Sequence, residues 1–148
     1  MRKKLSALSV GFLGLFLLNA CTTYLIPIDS FKQQFIGIDS TMLKQVTVQD
    51  ALGKIYTYLA NPIKTIQCMD KAGKPHELEN KPSIEIRFTY GEKNKKTILY
   101  FDRVFLNDSI ITGAPSRFIP SLVKNIPLKE VTKIEIQDGG KKFRYIEK

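Results

Sequence analysis

The side chains best suited to nucleophilic chemistry are the two cysteines, Cys21 and Cys68, and the chain has a single histidine, His76. Cys68 and His76 flank the turn-forming run Asp70-Lys71-Ala72-Gly73-Lys74, so a thiol and an imidazole can meet across a hairpin, with Asp70 or Glu77 placed to orient the ring. A thiol hydrolase of this kind needs a thiolate. Cys68 instead lies in an apolar run between Ile66 and Met69, where desolvation raises a thiol's pKa, and no local signature of thiol hydrolases surrounds it. A buried, inert cysteine is the plainer reading.

Other catalytic sets are missing from the pattern. One histidine excludes a zinc site needing two imidazoles within the subunit, and with no second free thiol and no acidic calcium loop, neither a metal nor a cofactor is expected. Gly-x-Ser-x-Gly does not occur. Gly139-Gly140-Lys141 has the residue types of a phosphate-cradling loop, but a two-glycine hairpin explains it better. Glu77 with Glu79, or Asp102 with Asp108, have the composition of paired acid and base carboxylates, a spacing that any solvent-facing strand also produces. The expectation is a protein that is not an enzyme.

Basic residues give the second candidate. Lys93, Lys95 and Lys96 crown one expected hairpin, and Lys141, Lys142 and Arg144 follow another. If the two hairpins are neighbours, they form a positive surface for lipid phosphates, an anionic glycan or the carboxylates of a partner. The alternative is that these residues keep edge strands soluble and unpaired.

The elements that must position these groups are mostly strands. Of 148 residues, 23 are basic and 14 acidic, a net charge of +9 without long charged blocks. Residues 29–148 are read as one β-rich domain with one core. Ser30 and Gln33 have capping-box spacing, Phe31 and Phe35 share a helical face, and Gly37 offers a left-handed stop, which predicts a short helix. From Gln45 the pattern changes to period two. Strands are expected at Gln45–Gln49, Ile55–Leu59, Ile63–Met69, Ser83–Tyr90, Thr97–Leu106, Ser109–Thr112, Val131–Ile136 and Lys142–Ile146. The nearly continuous apolar stretch Thr97–Leu106 is expected to be central and covered on both faces for part of its length. Pro115–Leu128 reads as the longest irregular connection, with one tight helical turn at its end. The fold class is mainly β, a single small antiparallel barrel or sandwich with one short N-terminal helix, and the pattern of the C-terminal half resembles a small SH3-like barrel.

The first twenty residues have a different character. Arg2, Lys3 and Lys4 precede an apolar stretch from Leu5 to Leu18, and Ala20 supplies a small-residue exit, the three parts of an export signal. The stretch is about fourteen residues, short of the roughly twenty that a membrane-crossing helix needs. The tetrad Leu18-Asn19-Ala20-Cys21 resembles the lipobox of bacterial lipoprotein precursors. That resemblance implies removal of residues 1–20, a thioether-linked diacylglycerol on Cys21 and often a further acyl chain such as palmitate on the new amino terminus. Thr22, rather than Asp, after the cysteine implies the outer membrane by analogy with Gram-negative sorting.

The rest of the chain resembles small envelope lipoproteins of unassigned function. Residues 21–28 are expected to be a lipidated tether. The expected partners are the membrane, through Cys21, and another envelope protein or anionic polymer, with no role for nucleic acid. Lipid on Cys21 would leave Cys68 without a disulfide partner.

Overall fold

The computed structural model describes residues 22–147, and every structural statement below concerns those residues. The expected signal peptide, residues 1–20, and the expected lipidation site Cys21 lie outside them. In chain order the elements are β1 (Thr23–Leu25), α1 (Ile28–Phe35), β2 (Lys44–Gln49), β3 (Ile55–Ala60), β4 (Thr65–Met69) and β5 (Pro75–Glu79). They continue with β6 (Ile84–Tyr90), β7 (Lys95–Tyr100), β8 (Phe105–Asn107), β9 (Ile110–Gly113), β10 (Lys124–Pro127), β11 (Val131–Asp138) and β12 (Arg144–Tyr145).

The strands form three antiparallel sheets, ordered β5-β4-β1-β11-β6-β7, β10-β9-β8 and β12-β2-β3. The fold is mainly β and sandwich-like, and no closed barrel is formed among the described residues. The C-terminal half does not make a barrel of its own, because its strands are shared among all three sheets.

β6 shows why the alternating pattern succeeds. Ile84, Ile86 and Phe88 are buried on one face, while Glu85 and Arg87 turn to the other. Phe31 and Phe35 of α1 pack over the buried face, with Phe31 edge-on to Phe88 at 5.5 Å between ring centroids. Ile66, Ile134 and Ile136 from the same sheet, and Ile111 and Ile126 from the β10-β9-β8 sheet, complete this core. A second, smaller cluster of Val48, Tyr58 and Ala60 lies under the β12-β2-β3 sheet, with Phe143 against it.

Several expectations are corrected. The helix starts earlier than the capping box implies: Pro27 is its N-cap with φ −56°, and Ser30 lies inside, its carbonyl and hydroxyl taken by Gln34. The fixed φ of proline suits the turn into the helix, and no side chain caps its first N–H groups. Residues 23–28 are not a tether, because Thr23–Leu25 form a strand between β11 and β4 and Ile26 is buried. Three residues are too few to show a period-two pattern in sequence.

The run Thr97–Leu106 is neither central nor one strand. β7 is an edge, a tight helical turn at Phe101–Arg103 follows, and β8 begins a different sheet. Its apolar character comes from the buried turn between the two, where Phe101 and Val104 enter the core. β12 does not return along β11. It crosses to β2, where Tyr145 pairs with Val48, and Ile146 N–H donates to the Thr47 carbonyl at 2.8 Å. The irregular connection also ends sooner than expected, in β10, which pairs with β9 from Lys124 to Pro127.

Candidate functional site

The hairpin pairing proposed for Cys68 and His76 is present. They are register partners on β4 and β5, and His76 Nε2 lies 3.3 Å from Asp70 Oδ2. Asp70 also accepts from the backbone N–H groups of Ala72 and Lys74, which closes the turn and holds its carboxyl below the usual range, the Lys74 bond contributing most. The thiol is directed elsewhere. Cys68 Sγ donates to the His76 carbonyl at 3.5 Å, the residue is buried, and burial pushes its pKa up. The imidazole instead lies against the Tyr24 ring, at 5.0 Å between centroids. Proximity is therefore met, while thiolate formation is disfavoured.

The lysine-bearing segments are not neighbours. Lys95 and Lys96 pair with Tyr90 and Thr89 at one end of β6, beside Lys93 in the turn. Lys141 reaches Glu85 at 2.6 Å and the Tyr100 hydroxyl at 3.0 Å at the other end. The five residue steps from Glu85 to Tyr90 along the strand amount to roughly 17 Å. Lys142 is exposed, and Arg144 bonds Gln49 Oε1 through Nε at 3.0 Å. Lys95, Lys96 and Arg144 all lie on edge strands, the placement expected of residues that keep edges unpaired.

Neither carboxylate pair forms a site. Asp108 is exposed in the β8–β9 turn at φ 52°, whereas Asp102 is fully buried. Glu77 and Glu79 are exposed on β5, where Glu77 accepts from Gln67 at 2.8 Å and Glu79 lies 3.5 Å from Lys81. Among the described residues no group of three histidine, cysteine or acidic side chains could hold a metal, and no helix is long and apolar enough to cross a membrane.

The chemically densest place is one the sequence reading missed. Asp102 and Arg117 are both inaccessible to solvent, with Arg117 Nη2 donating to Asp102 Oδ1 at 3.0 Å. Tyr58 and Tyr145 donate their hydroxyls to Asp102 Oδ2, the latter at 2.9 Å. Arg117 Nη1 also donates to the Tyr58 hydroxyl, and Nη2 to the Pro82 carbonyl. Its guanidinium stacks 4.0 Å from the Tyr100 ring centroid, while Arg103 lies 5.0 Å from that of Tyr58.

No family, curated protein or solved structure matches this chain.

Burial, followed by the Asp102 charge, raises the pKa of both Tyr58 and Tyr145, so each phenol stays protonated and donating. Asn61 fastens the same region: its N–H donates to the Asp102 carbonyl at 2.8 Å, and its amide to the carbonyls of Phe101 and Val104. Through these contacts Asp102 joins the β7–β8 turn to β3, β12 and the 114–123 loop. With both charges sealed from solvent, the arrangement clamps sheets together and offers no opening to a substrate. A signal for it existed in the sequence. Asp102 interrupts the apolar run from Ile98 to Leu106, and an acidic residue buried in such a run requires a partner.

Proposed function

We propose that this chain is a lipid-anchored envelope protein, held by acyl chains on Cys21, whose folded domain binds or braces another envelope component without catalysis. The reading rests on the lipobox-like tetrad Leu18-Asn19-Ala20-Cys21 standing directly before a structural element. β1 begins at Thr23, two residues after Cys21, and two peptide steps span about 7 Å at most. A lipid on Cys21 would thus be joined through one residue, Thr22, to a strand inside the six-stranded sheet, giving the domain a short leash and a limited range of orientations. Two or three acyl chains make such an anchor stable where one is marginal. Confinement to a surface raises the local concentration of any partner there. Outer-membrane placement is the finer part of the same proposal, carried by Thr22.

Metabolic labelling with an alkyne palmitate analogue tests the anchor. The full chain should take up label and fractionate with membranes, and Cys21→Ala should lose both. Label-free protein, or an amino terminus cut elsewhere, would defeat the proposal. Turnover of envelope substrates by the purified protein would defeat its non-catalytic half.

A further inference from the structure

The segment Phe118-Ile119-Pro120-Ser121-Leu122-Val123 leaves its apolar side chains in solvent. Phe118 is 61% exposed, Ile119 53%, Val123 48% and Leu122 38%, and Ser121 is the one polar residue among them. Isolated exposed apolar side chains are ordinary on a protein surface. Four within six residues are not, and no other segment of that length among the described residues has them.

The backbone of this loop is tied down on its inner side. The Ser116 hydroxyl accepts from the N–H groups of Phe118 at 3.1 Å and Ile119 at 3.3 Å, and the Leu122 N–H donates to the Ile119 carbonyl at 3.1 Å. Arg103 donates to the carbonyls of Ser116 at 3.3 Å and Pro120 at 3.2 Å, while Arg117 is locked in the clamp with Asp102. Phe118 has an aromatic neighbour, lying edge-on to Tyr56 at 5.6 Å, and still keeps most of its surface in solvent.

Sheet register fixes where the loop lies. It is the tip of the β9–β10 hairpin, whose base at Ser109 and Leu128 stands just before the start of β11. The tip stands at the end of β7, where the Tyr100 N–H donates to the Ala114 carbonyl at 3.2 Å. Tyr100, Glu85, Gln137 and Thr23 are successive cross-strand partners in β7, β6, β11 and β1. Three strand spacings put Thr23 roughly 14 Å from Tyr100. Cys21, two residues before Thr23, is therefore attached at the end of the sheet that carries the loop.

We propose that Phe118, Ile119, Leu122 and Val123 dip into the surface of the lipid bilayer that holds the chain through Cys21, an inference that rests on that anchor. Apolar side chains at the membrane-facing end of an anchored domain exchange water for the boundary between headgroups and acyl chains. Charge favours the same surface. The loop has no acidic residue, and the exposed Lys124 follows it directly, suited to anionic headgroups. In the turns nearby, the carboxylates of Asp50 and Asp138 accept N–H groups of their own turns, and Lys54, Lys141 and Lys142 follow them in the chain. With the anchor as one point of contact and the loop as a second, the domain is held in one orientation on the membrane.

The chain has no tryptophan, so a single one introduced by substitution reports its own surroundings. The full chain carrying Phe118→Trp, or in a second variant Val123→Trp, is purified from membranes in mild detergent. It is then reconstituted into vesicles of phosphatidylethanolamine and phosphatidylglycerol, with and without bromine on the acyl chains. Either tryptophan should move its emission to shorter wavelength and lose most of it to the bromine. Ile36→Trp should not, because Ile36 is 72% exposed in a groove with Lys129 at the opposite end of the sheet. Adding Ile119→Asp and Leu122→Asp should restore the emission of Phe118→Trp. Loop tryptophans quenched no more than Ile36→Trp would overturn the proposal and leave the patch to a protein partner. Palmitate labelling of the same samples keeps the two proposals apart: a labelled chain with an unquenched loop defeats this one alone, and an unlabelled chain defeats the anchor and this proposal with it.

Discussion

Asp102 and Arg117 face each other 3.0 Å apart with neither side chain reaching solvent, and the carboxylate is shared with the hydroxyls of Tyr58 and Tyr145. The pair joins segments far apart in the chain, so its loss should be felt as loosening between sheets. Removing one partner of a buried pair leaves an uncompensated charge and costs about 3–5 kcal/mol. Arg117→Met and Asp102→Leu should each lower stability by that order in urea unfolding, and the double variant should lose less than either single one. Single variants within about 0.5 kcal/mol of wild type, the range of ordinary surface changes, would contradict the clamp.

Alkaline pH should expose the role of Tyr58. Its folded pKa lies above the ordinary phenol value because burial and the Asp102 charge both disfavour the phenolate. For a raised folded pKa, the stabilisation is intact below the unfolded value, about pH 10, and is lost as pH rises beyond it. The wild type should lose up to about 1.4 kcal/mol per pH unit from this group above pH 10, and Tyr58→Phe should flatten that slope. A phenolate absorbance titration in which all six tyrosines ionise before unfolding would refute the assignment.

At acid pH the sign reverses. The Lys74 N–H holds the Asp70 carboxyl below its usual range, and the Lys133 ammonium does the same for Glu135. Depressed folded values mean that their stabilisation is present above about pH 4 and disappears as pH falls through those lower values. Asp70→Asn should flatten the acid limb of thermal stability. An identical pH profile in wild type and variant would count against the turn-closing role of Asp70.

Cys68 should behave as core. In the native chain a thiol reagent should leave it unmodified, with labelling appearing only as urea opens the fold, because the thiol is buried with a raised pKa. Rapid labelling of Cys68 under native conditions would revive a reactive-thiol reading.

Sequence alone determined the local structure wherever one residue's environment follows from its near neighbours. The β6 alternation, the Asp70–Lys74 turn with Gly73 at φ 84°, and the β8–β9 turn at Asp108 are all decided within a few residues of chain. The pairing of Cys68 with His76 was legible for the same reason, since a tight turn fixes the register of the strands it joins. Tertiary structure alone decided the rest. Tyr24 and Leu25 become a strand only because β11 and β4 leave a slot between them, and β12 leaves β11 because β2 offers an edge. The same holds for Asp102, Arg117, Tyr58 and Tyr145, which are separated in the chain and share one buried site once the sheets meet. Period-two patterning tells which side of a strand is buried. It carries no information on which strand lies alongside, and that choice sets the clamp.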